Sequence, residues 1–240
     1  MSTKVRELVY SRYREIWTQA GAEIQSDNPR NKVFNRLIQL WLGDYTRSET
    51  DLVDLGAGDG TLVKCLRDLG FTKAFGVDSS SSQGAVNQDY VITQDVFQWL
   101  SDQPSDRYDV IFAIDLIEHL SREELCDFFL KVAKSLKQGG LLICHCPNAD
   151  SPFFGAMRYA DLTHELAFTS TSLEQLCGIA EFSAYRIQSS GPVGRSLGSL
   201  VRKLILGLFG LTWWVLRVAD TGDFRRSYPV TSNIWVRFTK

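Results

Sequence analysis

The stretch Asp51-Leu-Val-Asp-Leu-Gly-Ala-Gly-Asp-Gly60 constrains the fold more than any other part of the chain. A short apolar run ends in three glycines at every second position and passes into a helix-like run from Thr61 to Leu69. Glycine there lets the backbone turn tightly at the carboxyl end of a strand and approach a ligand where any Cβ would collide. The following helix directs its amino end at that ligand. The spacing separates loops of this kind from one another. Gly56, Gly58 and Gly60 read G-x-G-x-G, whereas the dinucleotide fingerprint G-x-G-x-x-G sets its third glycine one residue later.

Strands alternating with helices around this loop give the pattern of a largely parallel sheet covered on both faces. The pattern predicts strands at Asp51–Leu55, Ala74–Asp78, Tyr90–Thr93, Tyr108–Ile114, Leu141–Cys146, Ser183–Gln188 and Ile234–Phe238. Helices are predicted at Thr61–Leu69, Arg122–Leu136 and Ser172–Ala180, the second with Leu125, Phe128, Phe129, Val132, Ala133 and Leu136 at helical spacing. Val5–Ala20 and Lys32–Leu42 also read as helices, joined by the turn-like Ser26–Pro29. At 240 residues and 44% hydrophobic content, one α/β domain over residues 1–240 is expected. Residues 1–45 would form a helical cap, and insertions are expected at 147–181 and 191–230.

Each later strand ends in a residue that continues the theme. Strand two ends Gly76-Val-Asp-Ser79, strand three runs into Gln94-Asp-Val-Phe97, and strand four, ending at Ile114 and Asp115, runs into Leu116-Ile-Glu-His-Leu120. With Asp54 ahead of the glycines, these segments resemble in order the motifs of the class I methyltransferases that use S-adenosylmethionine (SAM). The resemblance implies a Rossmann-like seven-stranded sheet with an antiparallel last strand. It implies that Asp54, Gly56, Ala57, Gly58 and Gly60 wrap the methionine part of SAM, with Asp78 and Ser79 at the ribose, Asp95 and Val96 at the adenine, and Ile114 also at the cofactor. Asp78 or Asp95 alone could equally be a helix N-cap. An NAD-type enzyme fails on the glycine spacing and leaves Glu118-His119-Leu120 without a role.

Acceptor chemistry is expected after strand five, where Asp161-Leu-Thr-His-Glu-Leu-Ala-Phe-Thr169 reads D-x-T-H-E-x-x-F-T. That pattern resembles a subgroup of bacterial methyltransferases acting on sugars, cell-surface glycans such as lipopolysaccharide, and lipid-linked acceptors. A sugar hydroxyl has a pKa far above neutrality, so a general base is useful, and histidine titrates nearest the working pH. His164 and His119 are the two candidate bases, with Asp115 as a polar contact to the methionine amine or the acceptor. His145, within strand five, reads as a core or surface residue. Methylation of a lipid quinone or another hydrophobic small molecule is the alternative within enzymes, and a catalytically silent SAM-binding scaffold is the alternative outside them.

Charge is uneven along the chain: residues 191–240 carry 8 basic and 2 acidic side chains, residues 51–190 carry 10 and 20. The core thus has no basic stripe for nucleic acid, and the tail has a partner of its own. Leu204–Leu216 is almost wholly apolar, contains Trp213 and Trp214, and is bordered by Arg202, Lys203 and Arg217. Thirteen residues give a helix of roughly 20 Å, too short to span a bilayer core of ~30 Å. A helix lying among lipid headgroups, a buried lid helix and a homodimer contact remain open readings. Five scattered cysteines and an amino terminus that reads as no apolar leader give the expectation of a cytoplasmic protein, peripheral to the inner membrane face on the first of these readings. Cys144-His145-Cys146 lacks a second ligand pair, so no metal is expected.

Overall fold

The computed structural model describes residues 38–79, 88–192, 196–222, 224 and 229–240, together with Val9. The helix expected at Val5–Ala20 and the turn at Ser26–Pro29 lie outside the described residues, and the one expected at Lys32–Leu42 is described as helix over 38–42. In chain order the elements are β1 Leu52–Leu55, α1 Thr61–Asp68, β2 Phe75–Asp78, β3 Val91–Thr93, α2 Val96–Ser101, β4 Tyr108–Ile114, α3 Arg122–Ser135, β5 Leu136–Pro147, α4 Phe154–Arg158, α5 Ser170–Ile179, β6 Ala184–Ser189, α6 Leu197–Thr221 and β7 Asn233–Thr239. Single 3₁₀ turns at Gln88–Tyr90 and Ile117–His119 precede β3 and follow β4.

The strands form one sheet in the order β3-β2-β1-β4-β5-β7-β6. The chain runs outward from β1 through β2 to β3, then returns to β4 on the other side of β1, with all these pairings parallel. The reversal leaves a crevice outside the carboxyl ends of β1 and β4, where open α/β sheets take their ligands. β7 is antiparallel to both β5 and β6, as the resemblance implies for the last strand.

Strand alternation sorts side chains onto two covered faces. On β5, Leu142, Cys144 and Cys146 join Phe128, Phe129 and Phe238 under α3 and α5, and Leu141 and Ile143 join Ile38, Leu66 and Trp235 on the other face. The cysteines therefore serve as small core residues. α3 begins with a reciprocal capping box, in which Ser121 Oγ accepts from Glu124 N–H and the Glu124 carboxylate accepts from Ser121 N–H. Such a cap contributes about 1 kcal/mol and fixes the chain just past Leu120.

Three features depart from the sequence reading. α2 and α4, of 6 and 5 residues, are too short to show a helical period. β5 begins straight after α3, at Leu136 rather than Leu141, with Gly139 at φ 75°. α6 runs for 25 residues rather than thirteen, from the Ser196 N-cap to a left-handed Gly222. At 1.5 Å per residue that is ~37 Å, so the length argument against a bilayer-spanning helix does not hold. α6 has no buried residue, which also removes the buried-lid reading.

Candidate active site

The glycine loop after β1 has a left-handed backbone at Gly56, Gly58 and Gly60, with φ of 72°, 55° and 76°. A side chain at any of them would strain that conformation by about 1 kcal/mol or more. The loop is tied to β2: Gly56 N–H and Ala57 N–H donate to the Val77 carbonyl at 2.8 and 3.1 Å, and Gly58 N–H donates to Asp78 Oδ2 at 2.9 Å. This approach requires Gly76, where a Cβ would lie 2.4 Å from the Ala57 Cβ. Gly76 was not a candidate site residue from sequence, although a glycine inside a strand is the usual signal of close backbone approach.

Asp54 is 3% exposed, and its Oδ1 has no hydrogen-bond partner. Burial, followed by the charges of Asp78, Asp59 and Asp115, raises its pKa to about 8. A buried carboxyl with an unused oxygen beside a glycine cradle suits a ligand that brings a positive charge, as the ammonium and sulfonium of SAM would. Ser79 is exposed beyond β2 and Ile114 is half-buried at the end of β4. Asp95 Oδ1 caps α2, accepting from Phe97 N–H at 2.9 Å and Gln98 N–H at 3.0 Å. Val96 is 8% exposed and belongs to the core. Among the expected cofactor residues, the structure thus draws Asp54, the three glycines and Asp78 into one cradle.

The histidines separate into two groups. His119, 9% exposed, and His164 pack edge-to-face with ring centroids 4.8 Å apart. His119 Nδ1 lies 2.8 Å from Thr163 Oγ1, whose hydroxyl donates to Asp161 Oδ1 at 2.7 Å. His164 Nδ1 donates to the Met157 carbonyl at 2.9 Å. Burial, then the neighbouring His164, lowers the His119 pKa to about 4. The acceptor loop is fastened to this corner, since Glu165 N–H and Leu166 N–H both donate to the Glu118 carbonyl, at 2.8 and 3.0 Å. Arg158 closes it from outside on the carbonyls of His164 and Glu165.

His145 belongs elsewhere. Its register partner is Ile114, which places it on the face of Ile143 and Trp235, and its ring lies 4.5 Å from that of Trp235. Nδ1 meets Asp115 Oδ1 at 2.5 Å, and Nε2 lies 3.1 Å from Ser190 Oγ. Asp115 reaches His145 through its left-handed backbone, φ 51°, rare for a residue other than glycine and frequent where a site requires strain. The carboxylate oxygen can only accept from Nδ1–H, so Nε2 is the basic nitrogen and Ser190 donates to it. Nothing in the local sequence pairs a mid-strand histidine with an acid 30 positions away.

A family model described as a methyltransferase domain matches residues 19–185. The ribosomal protein L11 methyltransferase of Methylobacillus flagellatus is 34% identical over 88 residues, which cover 35% of this chain and 30% of that protein. A SAM-dependent methyltransferase from Archaeoglobus fulgidus superposes with a TM-score of 0.64 at 15% identity, over 88% of this chain and 94% of its own. Magnesium protoporphyrin IX methyltransferase from Synechocystis PCC 6803 with bound S-adenosylhomocysteine gives 0.63 at 14% identity over 100% of both chains. At such identities the two structures speak for the fold. The matched family model, which spans more than half of the sequence, places the chain in the methyltransferase domain family.

Proposed function

We propose that this enzyme methylates a hydroxyl of a sugar or glycan carried on a lipid, working at the cytoplasmic face of a membrane, and that His145 is its general base. The pairing of His145 with Asp115 is the observation that carries the reading. SAM, when bound, supplies an electrophilic methyl group on a sulfonium. Asp54, the glycine loop and Asp78 would hold it, and Asp115 lies near enough to Asp54 to act on its charge. Asp115 keeps the His145 proton on Nδ1, so Nε2 would take the proton of the acceptor hydroxyl and later pass it to water. The Ser190 hydroxyl marks a position from which an O–H reaches Nε2. His119 and His164, the bases offered by the sequence, have their Nδ1 atoms engaged by Thr163 and Met157 and frame the acceptor loop.

The lipid part of the proposal rests on α6. One stripe is docked: Phe209 stacks on Phe153 at 5.3 Å, Trp213 Nε1 donates to the Asp150 carbonyl, and Arg217 pairs with Asp150. The opposite stripe, with Leu204, Ile205, Leu208 and Val215 each more than half exposed, faces away from the protein. A helix long enough to span but docked on the protein through residues 206–217 fits a position in the plane of the headgroups, with Arg202 and Lys203 drawn to anionic lipid. Exposed Phe154, Tyr159 and Leu162 follow Phe153 in the acceptor segment, so that segment would sit at the same surface.

A pocket of about 380 Å³ favours a second reading, methylation of a hydrophobic small molecule. Leu206, Leu211, Trp213, Trp214 and Val230 line it, and so does Ser189, next to the Ser190 that meets His145. Labelled methyl transferred from SAM into host membranes, followed by fractionation, separates the readings: label in extractable saccharide supports the first, label in a neutral lipid the second.

A further inference from the structure

We propose that Glu118, His119 and His164 hold a divalent first-row transition-metal ion, of which Zn²⁺ is the best fit, and that this ion clamps the acceptor loop to the end of β4. One nitrogen of each imidazole and one Glu118 carboxylate oxygen lie within 4.8 Å of one another. Donors about 2.0–2.2 Å from a tetrahedral ion are about 3.5 Å apart, so small side-chain rotations close the set.

The surrounding hydrogen bonds prepare the two imidazoles as ligands. The Met157 carbonyl can only accept, so His164 carries its proton on Nδ1 and its lone pair on Nε2. Thr163 Oγ1 lies 2.8 Å from His119 Nδ1 and donates to Asp161 Oδ1, so the hydroxyl ties that ring to the Asp161 carboxylate. A carbonyl behind one ring and a hydroxyl backed by a carboxylate behind the other is the outer arrangement that orients metal-bound histidine.

Glu118 supplies the independent observation. It is 2% exposed, and its Oε2 has no hydrogen-bond partner. Edge-to-face packing of the rings accounts for the contact between the histidines but leaves that buried oxygen without a role. Two imidazoles and one carboxylate favour zinc and its neighbours over Mg²⁺ and Ca²⁺, which prefer an all-oxygen shell. Three protein donors also leave a coordination position for water or an acceptor oxygen. The proposal does not depend on the choice of acceptor.

The test is titration of the full chain, first stripped with a chelator, with Co²⁺ and then Zn²⁺. The proposal expects one equivalent of Co²⁺ with visible ligand-field bands that Zn²⁺ abolishes. His164→Ala should lose the bands while keeping its far-ultraviolet circular dichroism, and Cys126→Ala should retain them. Thr163→Val, nearly isosteric and outside the ligand set, should weaken Zn²⁺ affinity about 10–100-fold. Absence of stoichiometric Co²⁺ binding would overturn the proposal, as would binding unchanged in both folded His164→Ala and Thr163→Val proteins.

Discussion

The imidazole of His145 on β5 and the carboxylate of Asp115 beyond β4 meet at 2.5 Å because the left-handed backbone at Asp115 takes its side chain out of the strand alternation. Strand parity alone would set Asp115 on the face opposite His145. If the pair supplies the base, His145→Gln lowers kcat by about 10²–10⁴-fold. Affinity for SAM should be unaffected, because the cradle lies on β1 and β2. Asp115→Asn, which tolerates the left-handed backbone, should also lower kcat. Steady-state kinetics with calorimetric SAM binding measures both; a fall in SAM affinity without loss of kcat would assign the pair a structural role.

Gly76 decides how closely the glycine loop sits on β2. In Gly76→Ala the new methyl would lie 2.4 Å from the Ala57 Cβ, and neither group can rotate away. The substitution should cost about 1–3 kcal/mol, read from the urea midpoint, and weaken SAM binding as the loop lifts. Adding Ala57→Gly should recover part of both effects. Only part is expected, because Val63 Cγ2 would still lie 3.2 Å from the new Cβ.

Asp54 gives the protein a pH signature. Its pKa of about 8 in the fold stands above the ordinary 3.8, so at intermediate pH the native state holds a proton that the unfolded chain has released. Its contribution to stability is therefore greatest below about pH 4, falls as pH rises toward 8 and is level above that. In the metal-free protein His119 opposes it at the acid end: with a pKa lowered from 6.5 to about 4, it favours the fold above pH 6.5 and loses that contribution as pH falls toward 4. Asp54→Asn should remove the decline toward pH 8, as seen in urea melts across that range. Binding of cationic SAM should release a proton below pH 8, detected as a dependence of calorimetric enthalpy on buffer ionisation heat.

The outward stripe of α6 predicts lipid binding. Burial of one leucine side chain is worth about 1.5–3 kcal/mol, so Leu204→Lys combined with Leu208→Lys should lower partition onto anionic vesicles by two orders of magnitude or more. Vesicle flotation measures this, and salt should weaken the wild-type binding through Arg202 and Lys203. Equal flotation of both proteins would remove the membrane role; a dimer that the double variant dissociates would assign the stripe to a second copy of the chain.

The glycine loop, the acids at the strand ends and the antiparallel last strand were legible in the sequence because each depends on local backbone requirements that recur at fixed spacing. The contact between His145 and Asp115 was not, since it depends on the turn at Asp115 and on β4 and β5 lying side by side. The grouping of Glu118, His119 and His164 likewise arises from a loop folding back onto the end of β4. The length of α6 was partly legible: Ser196 and Gly222 are ordinary helix boundaries, and they lie outside the apolar run Leu204–Leu216.

The most direct measurement is transfer of labelled methyl from SAM by the purified enzyme to membranes of its native host, with wild type and His145→Gln compared. The account predicts label in a lipid-extractable saccharide with the wild type and at least a 100-fold lower rate with His145→Gln, in line with loss of a general base. Label confined to protein, nucleic acid or small soluble products, or an undiminished rate in the variant, would contradict it.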